Sequence, residues 1–382
     1  MASKTVNLGY RQKIEKPKNK KTVELPVENL KEDKMTDSFD DEFDFVDSYS
    51  DETEADNEEL LPENTAPSAI DAAFIGVGGG GGKLAKAFLD LGFNRTLLVN
   101  TTVKDQPEGV DENNFLLIPG ADGVGKDVDL GRKILSENSA LVEDCVRARL
   151  GSPDWVFVCA GGGGGTGSAC SELHDSIERC MKAGGASGKV VYIISKPSSQ
   201  ELLNSTIGKN YKKLLEAISG HPHIVIDNER QLQLLRNRVG MLNLYPVANK
   251  NFAKLLGQIF KLAATHTEIQ TFDTKDLEKC LSTPGRIMVG STVVKDTSRR
   301  DLGSAIFTGC INSSPCPGPS SHCDTGSLLL VCTSEMAGDP KVSKNLEAAF
   351  SYVGGRTDTL FSGVYIRDNI GGLIAICLLA NC

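Results

Sequence analysis

Residues 159–168 read CAGGGGGTGS, five consecutive glycines followed by a hydroxyl, another glycine and a second hydroxyl. Glycine has no side chain to shield its amide, and it reaches backbone angles that are closed to other residues. A run of this kind between two regular elements is costly unless a ligand approaches the backbone closely, because a tight turn made for packing needs far fewer glycines. The stretch therefore predicts a loop that binds an anion.

Short apolar strands around this loop alternate with segments long enough for helices. Strands are predicted in FIGV, RTLLVNT, NFLLIPG, DWVFVCA, KVVYIIS and PHIVID, and helices include residues 130–150 and 172–182. This alternation is typical of an α/β fold with a doubly wound parallel sheet covered on both faces. A long apolar-periodic helical segment follows, and RIMVGSTVV, SLLLVCT, TLFSGVYI and LIAICLLA then predict a smaller α+β domain.

The sequence accordingly divides into four parts: a tail (1–68), a ligand-binding domain (69–231), a central helical segment (232–264) and a C-terminal α+β domain (265–382). The tail is basic first and acidic later, and residues 37–59 contain many carboxylates and no Lys or Arg. This composition predicts disorder and disfavours direct nucleic-acid binding by the segment. Its aromatic residues are either a docking motif for a partner or part of a solvated spacer.

The composition of the 382-residue chain is that of a soluble globular protein, with 40% hydrophobic and 24% charged residues. No apolar run is long enough to predict a membrane span, and the polar N-terminal segment lacks the apolar core of a secretory signal, so a cytoplasmic location is expected.

Eleven cysteines spread over a large chain predict reduced core thiols. The group formed by Cys310, Cys316, Cys323, Cys332 and His322 has no CxxC pair, which makes zinc the weaker interpretation.

A second glycine run, GVGGGGGK at residues 76–83, follows the first predicted strand. Ligands of parallel sheets lie at the carboxyl ends of the strands, where helix N-termini offer free amides, so two glycine loops there predict an extended polyanion. A dinucleotide fold would need a carboxylate at the end of the next strand, where Asn100 stands instead. A P-loop would need a glycine in place of Val77 and a hydroxyl in place of Leu84.

The motif GGGTGS on a strand-to-helix turn resembles the signature of the tubulin and FtsZ superfamily of self-assembling GTPases, and FIGVGGGGGKLAKAF resembles the first loop of FtsZ. Similar motifs continue in order through VNTT, GVGKDVDLGR, ISKP and IDNERQL, so that the resemblance covers residues 70–382. It implies GTP or GDP as ligand, with Mg²⁺ expected. The nucleotide-binding residues it implies are Gly78, Gly79, Gly80, Gly81, Asn100, Gly123, Gly125, Gly161, Gly163, Gly164, Gly165, Thr166, Gly167, Ser168, Asn228 and Asn249.

The resemblance places guanine near Asn228 and Asn249, but Lys250 stands where the family has a carboxylate. It also implies a catalytic loop after the central helix, with Asp273 and Asp276 as the carboxylates and Thr271 or Gln270 replacing the usual Asn. Helix capping is the alternative role for either aspartate. In this superfamily the next subunit of a filament completes the site, so a head-to-tail homopolymer is expected. The alternative is a protein that binds GTP without hydrolysing it.

Overall fold

The computed structural model describes residues 68–186, 188–236 and 238–382; the predictions for the tail up to residue 67 lie outside these residues. The described residues contain a ten-stranded sheet. Its strands are β1 Ala72–Val77, β2 Thr96–Asn100, β3 Phe115–Leu117, β4 Trp155–Gly161, β5 Lys189–Lys196, β6 Pro222–Asp227, β7 Gly285–Val294, β8 Cys323–Cys332, β9 Thr357–Ile366 and β10 Leu373–Ala380.

The strand order is β3-β2-β1-β4-β5-β6-β7-β10-β8-β9. Strands β1 to β7 pair in parallel, and β10 is antiparallel to both of its neighbours. The sheet order reverses between β1 and β4, which is the switch point where parallel α/β sheets bind ligands. The predicted α/β class and its parallel sheet are therefore confirmed.

Helices connect the strands. They are α1 Gly78–Leu89, α2 Val128–Glu137, α3 Ser139–Leu150, α4 Gly165–Ser168, α5 His174–Ala183, α6 Ser205–Ile218, α7 Asn228–Leu235, α8 Leu244–Ala263, α9 Thr274–Ser282, α10 Leu302–Ser313, α11 Ser334–Gly338 and α12 Pro340–Gly354. The helix predicted over 130–150 is divided at Asn138 into α2 and α3.

The two faces of the sheet have separate cores because successive strand residues point to opposite sides. Phe74 and Phe157 face α1 and α8, where the ring of Phe74 stacks on that of Phe88 at 4.0 Å between centroids. Ile75 and Val158 face the other way, into the core formed with α2, α3, α5 and α6. Covering both faces buries β1 and β4 along almost their whole length.

The central helical segment predicted over 232–264 is not one helix. Helix α7 ends at Leu235 and α8 begins at Leu244, and most of the residues between them are exposed. The apolar period continues across this gap, which is why the sequence pattern did not reveal the break. The sheet itself runs on without interruption, since Pro222–Ile224 of β6 pairs with Gly285–Ile287 of β7. The division into domains at residues 231 and 264 stays a prediction.

Nine cysteines are buried and free, as predicted for reduced core thiols. The prediction was wrong for Cys323 and Cys382, which form a disulfide. Their separation of 59 residues hides this proximity from the sequence, and the antiparallel pairing of β8 with β10 creates it. Among the described residues, no cluster of three metal-ligating side chains occurs, and no helix is long and apolar enough to cross a membrane.

Candidate functional site

The two glycine loops leave the sheet side by side. Val77 at the end of β1 pairs with Ala160 near the end of β4, so α1 and the loop before α4 start at the same edge. Gly78 has a φ of 70°, a left-handed conformation that favours glycine. A Cβ added to it would lie 2.9 Å from the amide nitrogen of Gly167. The loops therefore touch through their backbones.

Close packing accounts for glycine at many of these positions. A Cβ at Gly81 would lie 2.2 Å from the carbonyl oxygen of Cys159, and one at Gly167 would lie 2.7 Å from that of Gly161. A Cβ at Gly165 would lie 2.4 Å from Cγ2 of Val124. Contrary to the expectation from the sequence, close packing requires glycine at many positions of these loops. The glycines let α1 and α4 approach the neighbouring backbone closely.

Two glycines remain open to a ligand. Gly164 is exposed, and no atom of the described residues lies within 4 Å of the position of a Cβ. Gly80 is also exposed, and a Cβ added to it would lie 3.3 Å from Cα of Gly161. Helix α1 begins without a side-chain cap at Val77, so no N-cap side chain accepts from its first-turn amides. Uncapped amides at a helix N-terminus favour an anion. This edge thus offers bare backbone donors to an anionic ligand.

The loop after β2 joins the glycine loops through hydroxyl groups. Asn100 is buried, and its Oδ1 accepts a hydrogen bond from the amide of Thr101 at 2.8 Å. Thr101 Oγ1 lies 3.0 Å from Thr166 Oγ1, which links β2 to the start of α4. The amide of Gly123 donates to the carbonyl of Thr101 at 3.0 Å. Three loops of the edge are thereby fixed to one another.

The loop before α2 contains a run of left-handed residues. The φ angles of Gly123, Gly125 and Lys126 are 85°, 54° and 72°. Successive backbone amides in turns of this kind can form a concave anion-binding surface. Asn210 of α6 fixes the loop, because its Nδ2 donates to the carbonyl of Lys126 at 2.8 Å. The conformation suits the role that the sequence predicts for this loop.

A charged group borders the site. Thr102 Oγ1 donates to Asp122 Oδ1 at 2.7 Å, and Lys104 Nζ lies 2.6 Å from Asp122 Oδ2. The hydrogen bond from Lys104 lowers the pKa of Asp122, and the same bond raises the pKa of Lys104. Asp105 lies beside Gly79, where an added Cβ would be 2.9 Å from its Oδ2. Because Lys104 pairs with Asp122, it does not neutralise Asp105, whose carboxylate lies next to the first glycine loop.

The ends of β5 and β6 form the other side of the edge. Ser195 Oγ donates to Asn228 Oδ1 at 2.8 Å, and Lys196 Nζ lies 2.6 Å from Asp227 Oδ2. Asp227 also caps α7 by accepting from the amide of Glu229 at 3.0 Å. These contacts fix Asn228 at the first position of α7, directly beside the end of β5.

Asn249 lies in the N-terminal half of α8 and is half-buried. The far end of α8 lies near the start of β1, where the amide of Ala69 donates to the carbonyl of Phe260 at 3.1 Å. Eleven residues of helix separate Phe260 from Asn249, which is about 16 Å along the axis. Asn249 therefore lies far from the start of β1.

Asp273 and Asp276 cap the N-terminus of α9. Asp273 Oδ1 accepts from the amides of Lys275 and Asp276 at 2.7 and 3.0 Å, and Asp276 Oδ2 accepts from the amide of Asp273 at 3.2 Å. The two residues form a capping box. Burial raises the pKa of Asp276, with a contribution from the charge of Asp273.

The two aspartates lie far from the glycine loops. Glu278 of α9 pairs with Lys189 at the first residue of β5, at 3.1 Å, whereas Ser195 near the other end of β5 contacts Asn228. Six strand residues separate Lys189 from Ser195, about 20 Å. The structure therefore brings the predicted phosphate loops together and leaves the predicted catalytic carboxylates at the opposite end of the strands.

Comparison with known proteins gives a sequence relative and several structural ones. No family model matches the chain. The cell division protein FtsZ of Coxiella burnetii is 25% identical over 248 residues, an alignment that covers 62% of this chain and 60% of that protein.

Two solved structures show the same fold. A GTPγS-form protofilament of TubZ from Bacillus thuringiensis serovar israelensis has a TM-score of 0.67 and 19% identity, with 84% of this chain and 88% of that chain covered. The GTPγS-bound protofilament of CetZ2 from Haloferax volcanii has a TM-score of 0.64 and 20% identity, with 82% and 93% covered. The chain is thus similar in sequence to FtsZ and shares the fold of TubZ and CetZ2.

These comparisons confirm the predicted resemblance and fold, while the role of each site residue stays a prediction. The predicted residues at the carboxyl ends of β1 to β6 share one edge of the sheet. Some of them are held by the protein itself: Gly81 and Gly167 by packing, and Asn100 by its bond to Thr101. Ser168 is fully buried, and its Oγ has no hydrogen-bond partner within the part of the chain that the structure describes.

Sequence reasoning missed several residues of the edge. Thr101, Asp105 and Asp122 contribute a hydroxyl link, a carboxylate beside Gly79 and an ion pair. Thr101 directly follows β2 and Asp105 lies in the same loop, so their position after a predicted strand indicated this role. The pairing of Asp122 with Lys104 joins two loops and had no local signal.

Proposed function

We propose that this protein binds GTP and GDP, assembles with copies of itself into head-to-tail filaments, and hydrolyses GTP at a site that the next subunit completes. The observation that carries the proposal is the convergence of two glycine loops at one sheet edge, with Gly80 and Gly164 open and the N-terminus of α1 uncapped. The similarity to TubZ and CetZ2 supports GTP as the ligand, since the structures of those proteins are a GTPγS-form and a GTPγS-bound protofilament.

The triphosphate would lie across the glycine loops. Backbone amides of residues 78–81 and 163–168 would donate to its oxygens, and the left-handed loop at Gly123 and Gly125 would contact its far end. Asn228 and Asn249 would contact the base. Because no cluster of three ligating side chains occurs among the described residues, Mg²⁺ would be held mainly by phosphate oxygens and water.

A second copy is required because one chain separates the two halves of the chemistry. Asp273 and Asp276 belong to α9, which contacts the first residue of β5 through Glu278, about 20 Å along the strand from Ser195. An aspartate from a neighbour stacked on the glycine edge would orient the attacking water while the cradle and Mg²⁺ neutralise charge on the γ-phosphate. A contact between two different surfaces that does not close a ring gives an open filament.

The test is GTP turnover per subunit as protein concentration rises, with pelleting assayed in the same tubes and GDP as the control. We expect the rate to climb steeply above a threshold concentration, together with GTP-dependent pelleting. A rate per subunit that is independent of concentration, with GTP bound, would contradict the shared site.

A second candidate function is GTP binding without hydrolysis. The observation that favours it is the capping box, which engages both Asp273 and Asp276 in holding α9. In addition, Thr271 or Gln270 replaces the Asn of the superfamily motif. This protein would form static polymers or modify those of a relative. Replacing both aspartates then leaves an already negligible turnover unchanged, whereas in the first candidate it abolishes turnover and retains binding.

The cellular role that we propose is cell division or the positioning of DNA or other cargo, in the cytoplasm. The relatives support this range, because one is a cell division protein and others form protofilaments. A partner recruited by the acidic N-terminal segment belongs to the same proposal and rests on its composition alone. Deletion of residues 37–59 tests it, with loss of cargo positioning and unchanged GTP turnover as the expected result.

A further inference from the structure

The disulfide between Cys323 and Cys382 ties the ends of two neighbouring strands. Cys323 is the first residue of β8, and Cys382 follows β10 by two residues. The antiparallel ladder between these strands ends at the pair Ala380 and Thr325, so the bond lies just beyond the last ladder pair. Cys323 is buried and Cys382 is half-buried, which lets a small thiol approach the bond from the side of Cys382.

Other contacts hold Cys382 in place without the bond. Nη2 of Arg286 donates to the carbonyl of Cys382 at 3.0 Å and to that of Gly318 at 2.8 Å. The amide of Asn381 donates to the carbonyl of Arg286 at 2.8 Å, and Nδ2 of Asn381 lies 2.6 Å from Asp324 Oδ2. After reduction these contacts keep Cys382 near Cys323, so the bond can form again, but the ends of β8 and β10 are no longer joined covalently.

The remaining cysteines do not compete for this chemistry. All nine are buried and free. Burial raises the pKa of the Cys170 and Cys280 thiols to about 12, which keeps them protonated and unreactive. Among the described residues, Cys323 and Cys382 are thus the pair that a change in thiol–disulfide balance would alter.

The bond lies next to the base of α9. Thr325, two residues after Cys323, shares a hydrogen bond of 2.9 Å with Thr283, which caps the C-terminus of α9. Asp273 and Asp276 lie at the other end of the same helix, about 13 Å away. Rigid contact between β8 and α9 thereby connects the disulfide to the carboxylates of the proposed catalytic loop.

We propose that the Cys323–Cys382 pair is a reversible redox clamp that sets the mobility of α9 and through it the rate of GTP turnover, an inference that rests on the proposed function. A thiolate of reduced glutathione attacks Sγ of Cys382, and Cys323 leaves as a thiolate that takes up a proton. A second glutathione then releases the thiol of Cys382 and forms oxidised glutathione. Two electrons pass from two glutathiones to the protein disulfide, and oxidised glutathione reverses the reaction.

The experiment equilibrates the full chain with mixtures of reduced and oxidised glutathione. Alkylation and mass spectrometry measure the state of each cysteine, and amide hydrogen exchange of α9 and GTP turnover are measured on the same samples. We expect oxidation to protect Cys323 and Cys382 alone from alkylation, to slow exchange in α9 and to change turnover at least twofold. Cys382→Ser must abolish all three responses, whereas Cys332→Ser, at the other end of β8, must keep them.

Two results would overturn the clamp. In the first, Cys323 and Cys382 are still alkylated in oxidised glutathione. In the second, the disulfide forms but amide hydrogen exchange in α9 and GTP turnover do not change. Failure of the proposed function is distinguishable, because a chain that never turns over GTP still reports the clamp through cysteine protection and exchange in α9.

Discussion

Replacing Gly81 and Gly164 separately by Ala distinguishes glycine needed for packing from glycine needed for the ligand. The Cβ of Gly81→Ala would lie 2.2 Å from the carbonyl oxygen of Cys159, whereas carbon and oxygen normally approach to about 3.3 Å. Helix α1 must therefore shift by about 1 Å, and overpacking of this kind typically costs about 1–3 kcal/mol. We expect Gly81→Ala to lower the free energy of unfolding by about that amount.

Gly164→Ala is the matched control in the neighbouring loop. Gly164 has φ of −83° and ψ of 170°, which any residue adopts, and no atom lies within 4 Å of the added Cβ. We expect its free energy of unfolding to change by less than about 0.5 kcal/mol. The methyl group would instead occupy the space proposed for a phosphate, so GTP affinity should fall about tenfold, or about 1.4 kcal/mol.

The assay is urea denaturation of both variants, together with titration by a fluorescent GTP analogue. If Gly81→Ala unfolds at the same urea concentration as the unmodified protein, close packing does not explain that glycine. If Gly164→Ala binds the analogue with unchanged affinity, the phosphates do not lie against this part of the loop.

The other predictions concern the capping box, the hydroxyl link and a histidine pair. Asp273→Ser keeps an N-cap acceptor but removes the carboxylate, so thermal unfolding should change little while GTP turnover is lost; full turnover would refute a catalytic role. Thr101→Val removes the bond to Thr166 and should cost about 1 kcal/mol in urea unfolding, and no loss would contradict the link. The ring centroids of His174 and His221 lie 4.0 Å apart. Burial lowers the pKa of His174 below the ordinary 6.5. The unfolded chain then binds more protons below pH 6.5, so stability should be complete above that pH and fall as the pH drops towards the folded pKa. Thermal midpoints at pH 7.5 and 5.5 measure this fall, and it should be smaller in His174→Gln; an equal fall in both proteins would exclude His174 as its source.

Much of the fold could be predicted from the sequence because strand and helix periods are local. The apolar runs located the strands, and the glycine runs located both loops at the ends of β1 and β4. The sequence predicted that the glycines serve a ligand, but Gly81 is also needed for packing against Cys159. That contact depends on how closely α1 packs on the sheet. The presence of glycine in the sequence does not show how close the neighbouring backbone will lie in the folded protein.

Contacts between segments that are distant in the sequence could not be predicted either. The disulfide of Cys323 with Cys382 and the ion pair of Lys104 with Asp122 join residues whose proximity arises from strand order and loop position. In contrast, the capping role of Asp273 was visible beforehand, because a cap depends only on residues within one helical turn. Interactions within one helical turn can therefore be predicted from the sequence, whereas contacts between distant segments require knowledge of the fold.

The most direct measurement of a site shared between copies mixes two variants that are each inactive. One is Gly164→Asp, whose carboxylate repels the phosphates, and the other is the double variant Asp273→Ser with Asp276→Asn. In an equal mixture that copellets at random, about one quarter of the contacts pair an intact nucleotide loop with intact aspartates, so turnover should recover to about one quarter of the unmodified rate. Copelleting with no turnover above that of the separate variants would contradict the shared site.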